Sequence, residues 1–228
     1  MGMTFGEGQC TAVLFDMDGL LINTEDIYTM VTNEILKKYN KTFDWSLKMQ
    51  MMGLPQMEAA KLLANALQVD LTPEDYLEIR NQLHLKYFGM CELLPGVEKL
   101  ILHLKKHNIP MAVATSSERT PFEIKTARHK HVFNLFDEIV LGDDPELKRG
   151  KPNEDIFVLA AKRLGFEPCK SILVFEDALS GLDASNRGGF STIWIPHQEM
   201  PDVEHPFDCT KLTSMLAFKP QDFGLPDY

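Results

Sequence analysis

The chain has 228 residues, of which 44% are hydrophobic and 25% charged, and its formal net charge is −10 at pH 7. This length allows one substantial domain with an inserted subdomain, and the negative charge argues against a nucleic-acid-binding protein. No apolar stretch approaches the roughly 20 residues of a membrane-spanning helix, and the N-terminus lacks the basic and apolar regions of a signal peptide.

The four cysteines are scattered along the chain without a CxxC pair, at Cys10, Cys91, Cys169 and Cys209. This distribution predicts reduced thiols in a cytoplasmic protein rather than a disulfide framework. We expect no nucleic-acid or membrane partner and favour a monomer. Because the overall negative charge repels anions, a phosphate substrate needs a local cation or metal ion.

The segment Ala12–Gly19 is a short apolar run that ends in Asp16 and Asp18, followed by a glycine. Such a run predicts a buried parallel strand, and ligands of open α/β sheets bind beyond the carboxyl ends of the strands. Alternate residues of a strand point the same way, so both carboxylates can face one pocket, and Gly19 lets the chain turn away. The pair suits Mg²⁺ and phosphate chemistry, although a strand followed by an acidic turn explains this segment alone equally well.

Residues 24–88 have helical character and contain no convincing buried strand. Capping and proline signals predict three helices: one capped by Asn23 or Thr24 and running through Tyr39, one with Pro55 at its first position, and one capped by Thr72 that runs to about Tyr87. This region therefore predicts a helical insertion after the first strand.

From Pro95 onward, predicted strands and helices alternate. The strands are Pro110–Thr115, Glu138–Leu141, Ser171–Phe175 and Ser191–Ile195, and the helices are Val97–His107, Pro121–Lys130, Pro152–Leu164 and Ser180–Arg187. This alternation predicts a parallel sheet. We expect an α/β fold with a doubly wound, Rossmann-like core in residues 1–21 and 91–228, and a helical cap in residues 22–90.

Polar side chains follow two later strands and precede one of the helices. Thr115–Ser117 end the second strand, where hydroxyl and backbone N–H groups can hold phosphate oxygens or cap the next helix. Lys151 stands before a helix that we expect to start at Pro152, and it is either a phosphate ligand or a solvated loop lysine. Glu176–Asp177 end the fourth strand and either complete a Mg²⁺ site or favour a helix N-terminus.

In order and spacing, these motifs resemble those of the haloacid dehalogenase-like phosphohydrolase superfamily, in the subgroup with a helical cap after the first motif. The four motifs are Asp16–Gly19, Thr115, Lys151 and Glu176–Asp177. Further segments resemble the eukaryotic pseudouridine-5′-phosphatase family: Phe15–Glu25, Ala114–Ser117, Arg128–Lys130, Val140–Glu146, Gly150–Pro152, Val174–Ala178 and Phe223–Pro226. Asn23 and Leu179 depart from that pattern, where the relatives usually have Asp and Pro, but neither is a motif residue.

The resemblance implies a phosphatase that forms an aspartyl-phosphate. Asp16 is then the nucleophile, and Asp18 protonates the leaving oxygen and later takes a proton from water. The metal would be Mg²⁺, bound by a carboxylate oxygen of Asp16, the carbonyl of Asp18 and the side chain of Asp177, with Glu176 a direct ligand or an orienting neighbour. The phosphate oxygens would be held by Thr115, Ser116 and Lys151.

The substrate implied by the closer resemblance is pseudouridine 5′-phosphate, and phosphatases of sugar phosphates or glycerol phosphate remain alternatives. A sugar phosphomutase of the same fold is a rival, but related mutases have an arginine in the cap loop, and residues 53–56 contain none. An inactive binding module is a second rival. We expect Glu25 and Gln56 of the cap to select the leaving group, and the cap to close over the site and exclude water.

Overall fold

The computed structural model describes residues 10–51, 54 and 56–228. The described chain forms two compact units, which divide between Asn23 and Thr24 and again between Cys91 and Glu92. We call residues 10–23 with 92–228 the α/β unit, and residues 24–91 the helical unit. Among the described helices, none combines the length and the apolar composition needed to cross a membrane.

The α/β unit is built on a six-stranded parallel sheet in the order β3-β2-β1-β4-β5-β6. The strands are β1 Ala12–Phe15, β2 Met111–Ala114, β3 Glu138–Val140, β4 Ile172–Glu176, β5 Ser191–Trp194 and β6 Thr210–Lys211. The order reverses between β1 and β4, where open α/β sheets form their ligand-binding crevice. The predicted α/β fold with a parallel core is therefore confirmed.

The strands β1, β2, β4 and β5 are buried along their whole length, as expected for parallel strands covered on both faces. In the centre of the sheet, Leu14 lies beside Ala112 of β2 and Val174 of β4. The edge strand β6 was not predicted, because two partly exposed residues carry no hydrophobic pattern.

Helices of the α/β unit cover the sheet, and they are α5 Val97–Lys106, α6 Arg119–Thr126, α7 Lys130–Phe133, α8 Asp155–Arg163 and α9 Leu179–Arg187. Ile156 and Phe157 of α8 and Ala184 of α9 are fully buried in one cluster with the apolar side chains of the sheet. The prediction that Pro152 begins a helix is wrong: residues 151–154 form turns, and α8 starts at Asp155.

The helical unit contains α1 Glu25–Leu36, α2 Trp45–Met51, α3 Gln56–Leu67 and α4 Pro73–Tyr87. Thr72 caps α4 as predicted, accepting a 3.1 Å hydrogen bond from the backbone N–H of Asp75. Thr24 occupies the cap position of α1, but its buried hydroxyl makes no capping bond, so that part of the prediction is wrong. The predicted helix start at Pro55 lies outside the described residues.

The chain turns sharply after the first strand. The backbone N–H groups of residues 20–22 bond to the carbonyl of Met17, and the N–H of Gly19 bonds to the carbonyl of Ile22. Gly19 has φ +81°, in the left-handed region that a glycine adopts without a Cβ clash. The turn leaves Asp16 and Asp18 at the carboxyl end of the central strand, as the alternating pattern predicted.

Candidate active site

The centre of the site is an ion-paired cluster at the carboxyl ends of β1 and β4. Asp16 follows β1 directly and is 7% exposed. Its Oδ1 accepts a hydrogen bond from Nζ of Lys151 at 2.5 Å, and the same Nζ donates to Oε1 of Glu176 at 2.5 Å. A lysine from the loop before α8 thus joins two carboxylates from neighbouring strands.

Glu176 is 1% exposed and uses both of its carboxylate oxygens. Oε1 accepts from Lys151, while Oε2 accepts from the backbone N–H groups of Asp177 and Ala178, each at 2.9 Å. A Cβ at Gly181 would lie 1.8 Å from Oε1, so only glycine lets α9 pack this closely on the carboxylate. Glu176 therefore holds Lys151 and the turn after β4 in place.

Burial raises the pKa of Asp16 to about 7, with Glu176 and Asp18 adding to the rise and Lys151 opposing it. Burial alone would lower the pKa of Lys151, but the carboxylates of Asp16 and Glu176 reverse that effect and raise it above its ordinary value. The lysine stays charged between these two carboxylates, and a third carboxylate, that of Asp177, lies close to them. A bound cation would relieve this crowding.

Three carboxylates are close enough to share a metal ion: an oxygen from each of Asp16, Glu176 and Asp177 lies within 4.8 Å of the others. Oxygen donors from carboxylates are the ligands that Mg²⁺ prefers, so the donor set fits the predicted metal. The backbone of Asp177 is anchored by Trp194, whose indole N–H donates to its carbonyl at 2.9 Å.

Asp18 is held by a second lysine, which the sequence interpretation missed. Nζ of Lys125 donates to Oδ1 of Asp18 at 2.5 Å, and the hydroxyl of Ser117 donates to Oδ2 at 2.7 Å. Lys125 is only 2% exposed, on α6. The available signal was its position three residues after Phe122, on the face of a helix that packs inward.

Two predicted phosphate ligands, Thr115 and Ser116, follow β2, and they differ in burial and in their contact with Asp18. Thr115 follows β2, is fully buried, accepts from the backbone N–H of Ser117 at 3.0 Å and lies 3.4 Å from Oδ2 of Asp18. Ser116 is exposed. The structure therefore brings Asp16, Asp18, Thr115, Lys151, Glu176 and Asp177 to one edge of the sheet, with Ser116 at its surface.

The two predicted specificity residues have partners inside the helical unit. Oε2 of Glu25 lies 2.6 Å from Nζ of Lys48, which also donates to the hydroxyl of Thr29 at 3.0 Å. Oε1 of Gln56 accepts a 2.7 Å hydrogen bond from Nη2 of Arg80. Residues 53 and 55 of the predicted cap loop lie outside the described residues.

Arg80 is a second residue that the sequence interpretation missed. Burial lowers the pKa of its guanidinium, and within the described residues no carboxylate pairs with it and its Nε has no hydrogen-bond partner. The guanidinium of Arg80 holds the side-chain amide of Gln56 through its Nη2.

Other polar residues near the motifs have structural partners. Asp144 accepts two hydrogen bonds from Arg163 at 2.7 and 2.9 Å. Arg149 pairs with Asp155 at the start of α8. The basic segment around His129 and His131 predicts surface positions for both histidines; His131 is exposed, but the prediction is wrong for His129, which is 6% exposed.

Comparison with known proteins identifies the family. Residues 13–195 match the model of the haloacid dehalogenase-like hydrolases. The chain is 42% identical to (DL)-glycerol-3-phosphatase 2 of Arabidopsis thaliana, with 99% of this chain and 96% of the relative aligned. It is 37% identical to a probable pseudouridine-5′-phosphatase of Drosophila melanogaster, covering 96% and 95% of the two chains.

Solved structures show the same fold. A HAD family hydrolase from Deinococcus radiodurans R1, crystallised with bound phosphate and sodium, aligns with a TM-score of 0.77 at 23% identity, covering 96% of this chain and 98% of the other. The family model spans the first strand, both lysine-held aspartates and the strand that carries Trp194. The chain belongs to the haloacid dehalogenase-like hydrolase family.

Proposed function

We propose that the protein is a Mg²⁺-dependent phosphatase that hydrolyses a small phosphomonoester through an aspartyl-phosphate intermediate. The observation that carries this proposal is the buried Asp16, which is bonded to Lys151 beside Glu176 and Asp177 of the neighbouring strand. A carboxylate held this way is aimed by its partners and screened from water, as a nucleophile toward phosphorus requires.

Each side chain of the cluster has a distinct role in this proposal. Asp16 attacks phosphorus and expels the leaving oxygen, to which Asp18 gives a proton. Asp18 then takes a proton from the water that hydrolyses the aspartyl-phosphate. Thr115, Ser116 and Lys151 hold the phosphate oxygens, and such positioning and charge stabilisation supply most of the catalysis in phosphoryl transfer.

The metal would be held by Asp16, the backbone carbonyl of Asp18 and Asp177. Since both oxygens of Glu176 are already engaged by Lys151 and backbone N–H groups, we assign Glu176 the orienting role rather than direct ligation. When bound, Mg²⁺ would neutralise charge on the phosphate and on Asp16.

For the substrate we propose pseudouridine 5′-phosphate, in line with the segments that resemble that family and with the name of the Drosophila relative. Glycerol phosphate is the second candidate, favoured by the 42% identity to the plant glycerol-3-phosphatase over almost the whole of both chains. The cap loop of residues 53–56 contains no arginine, and this favours hydrolysis over mutase chemistry.

We propose that the helical unit acts as the cap and selects the leaving group. Glu25 and Gln56 are the proposed selecting residues, each held by a cation of the same unit, Lys48 and Arg80. We also propose a monomer in the cytoplasm that acts on a small metabolite without a nucleic-acid or membrane partner.

The test is a phosphate-release screen of the purified chain against phosphorylated metabolites, including pseudouridine 5′-phosphate, glycerol 3-phosphate, sugar phosphates and p-nitrophenyl phosphate. We expect turnover with Mg²⁺, none after chelation by EDTA, and none for Asp16→Asn. Absence of phosphate release from every compound would reject the phosphatase and favour a binding module. Transfer of phosphate within a sugar phosphate, without release, would favour a mutase.

A further inference from the structure

A buried lysine at the edge of the site has no part in the proposed mechanism so far. Nζ of Lys125 lies 2.5 Å from Oδ1 of Asp18 and 2.9 Å from the hydroxyl of Ser117, which in turn donates to Oδ2 of Asp18 at 2.7 Å. The three side chains form a closed ring of contacts. Both oxygens of the Asp18 carboxylate are therefore engaged by donors.

Each aspartate of the first motif contacts a different lysine. Lys151, from the loop before α8, contacts Asp16 and Glu176. Lys125, from α6, contacts Asp18 and Ser117. They arise from different elements and approach different carboxylates, so the role of one does not account for the other.

Burying an ammonium group is costly unless its partners compensate for the lost water. Lys125 is 2% exposed, and its position on a helix restricts its movement. A lysine placed there for packing alone would be replaced at lower cost by an apolar side chain of similar length. Its contacts instead converge on one carboxylate of the motif.

We infer that Lys125, with Ser117, is a positioning residue that fixes the orientation of the Asp18 carboxylate for proton transfer. The inference rests on the proposed function, in which Asp18 exchanges a proton with the leaving oxygen and with water. Lys125 does not touch phosphate in this scheme. Proton transfer depends on the position of the donor oxygen, and a side chain held at both oxygens cannot rotate away from it.

The experiment compares phenyl phosphate with p-nitrophenyl phosphate, which are similar in shape but differ in leaving-group quality. For Lys125→Met we expect kcat on phenyl phosphate to fall by about 10²-fold, within the range of general acid–base catalysis, and kcat on p-nitrophenyl phosphate to fall less. KM should change by less than about threefold, because ground-state binding is kept. Lys125→Arg should restore part of the loss, and Ser117→Ala should show a smaller loss of the same kind.

Lys105→Met is the matched control, because Lys105 forms a lysine–aspartate pair with Asp137 outside the motif cluster. It should hydrolyse both compounds like the wild type. If the wild type and this control release phosphate neither from these two compounds nor from any compound of the metabolite screen, the proposed function fails. Equal losses of Lys125→Met on the two compounds, with the control active, would overturn only the positioning role.

A double variant tests whether Lys125 acts through Asp18. In an Asp18→Asn background, adding Lys125→Met should change kcat by less than about twofold, because the group it positions is already lost. A further loss equal to that of the single variant would overturn the inference. The double variant lacks both charges of the pair and is compared with Asp18→Asn alone, so a further loss of more than about tenfold overturns the inference even if Lys125→Met by itself does not fold.

Discussion

The two units of the chain use their buried charges differently. In the α/β unit, Lys125 and Lys151 are almost fully buried and each joins two polar side chains of the motif cluster. In the helical unit, the buried Lys48 likewise joins two polar side chains, Glu25 and Thr29, whereas Arg80 meets only neutral partners in the described chain. The ion-paired cluster on the parallel sheet holds its carboxylates in fixed positions through charged partners, whereas the guanidinium of Arg80 is held by neutral groups alone.

The largest expected effect lies in the α/β unit. Asp16→Asn should abolish multiple turnover while the protein stays folded, because an amide cannot attack phosphorus and Lys151 keeps Glu176 as its partner. Phosphate release from the purified variant, together with its circular dichroism spectrum, measures this. Sustained turnover by a preparation free of wild-type protein would remove Asp16 from the nucleophile role.

Asp18→Asn should keep the nucleophile and lose the proton donor and acceptor. We expect a rate loss on the order of 10²–10⁴, which is smaller for p-nitrophenyl phosphate than for an alkyl phosphate. Steady-state kinetics on both compounds test this, with a pre-steady-state burst revealing any slow second step. Identical losses without a burst would argue against the acid role.

Gly181→Ala should displace the ion-paired cluster of the α/β unit through steric overlap, without removing any of its charged groups. Its methyl group would overlap the Glu176 carboxylate, so the helix α9 or Lys151 must move, and overpacking costs about 1–3 kcal/mol. We expect a lower Tm and a lower kcat. Gly89→Ala is the control, because no atom lies within 4 Å of the added methyl group and φ is not left-handed; equal behaviour of the two variants would contradict the packing role.

Changes in the helical unit should be smaller and should depend on the substrate. Gln56→Ala, Glu25→Ala and Arg80→Gln are expected to alter kcat/KM for a nucleotide and for a sugar phosphate unequally, by about 10-fold or less, with less effect on p-nitrophenyl phosphate. Glu58→Ala, which breaks an exposed pair with Lys61, is the control. A substrate profile unchanged by all three would move specificity out of these residues.

The smallest expected effect concerns stability and its pH dependence. The pKa of Asp16 is about 7 in the folded protein and about 4 in an unfolded chain. Between these pH values the folded state binds more protons, so the free energy of unfolding of the wild type falls as pH rises. Asp16→Asn lacks this loss, so its Tm in EDTA should exceed that of the wild type more at pH 8 than at pH 5. A constant difference across that range would contradict the raised pKa.

Local sequence patterns predicted those elements whose stabilising contacts lie within a few residues of one another. Thr72, Pro73 and Asp75 predicted the start of α4 because their contacts lie within one helical turn. The apolar run before Asp16 predicted β1, since a parallel strand buried on both faces is apolar throughout. The same signals were wrong at Thr24, whose hydroxyl forms no cap, and at Pro152, which precedes α8 by three residues.

Contacts between residues that are far apart along the chain could not be predicted from such local patterns. Lys125 lies 107 positions from Asp18 along the chain. From sequence alone, a lysine in an amphipathic helix is expected to face solvent, because only the packing of the helix shows that it is buried. The burial of His129 and the pairing of Arg163 with Asp144 depend in the same way on neighbouring elements.

The sequence by itself predicted the parallel α/β core and the helical region between its first two strands, because periodicity and turn chemistry are local properties. The site residues came from the order and spacing of the motifs, through the resemblance to a family. Only the tertiary structure decided which lysine holds which aspartate, that Glu176 has both oxygens occupied, and that Arg80 supports Gln56. The contacts of the lysines and of Glu176 join side chains that are far apart in the chain or depend on its folding, and burial there removes water and strengthens each interaction.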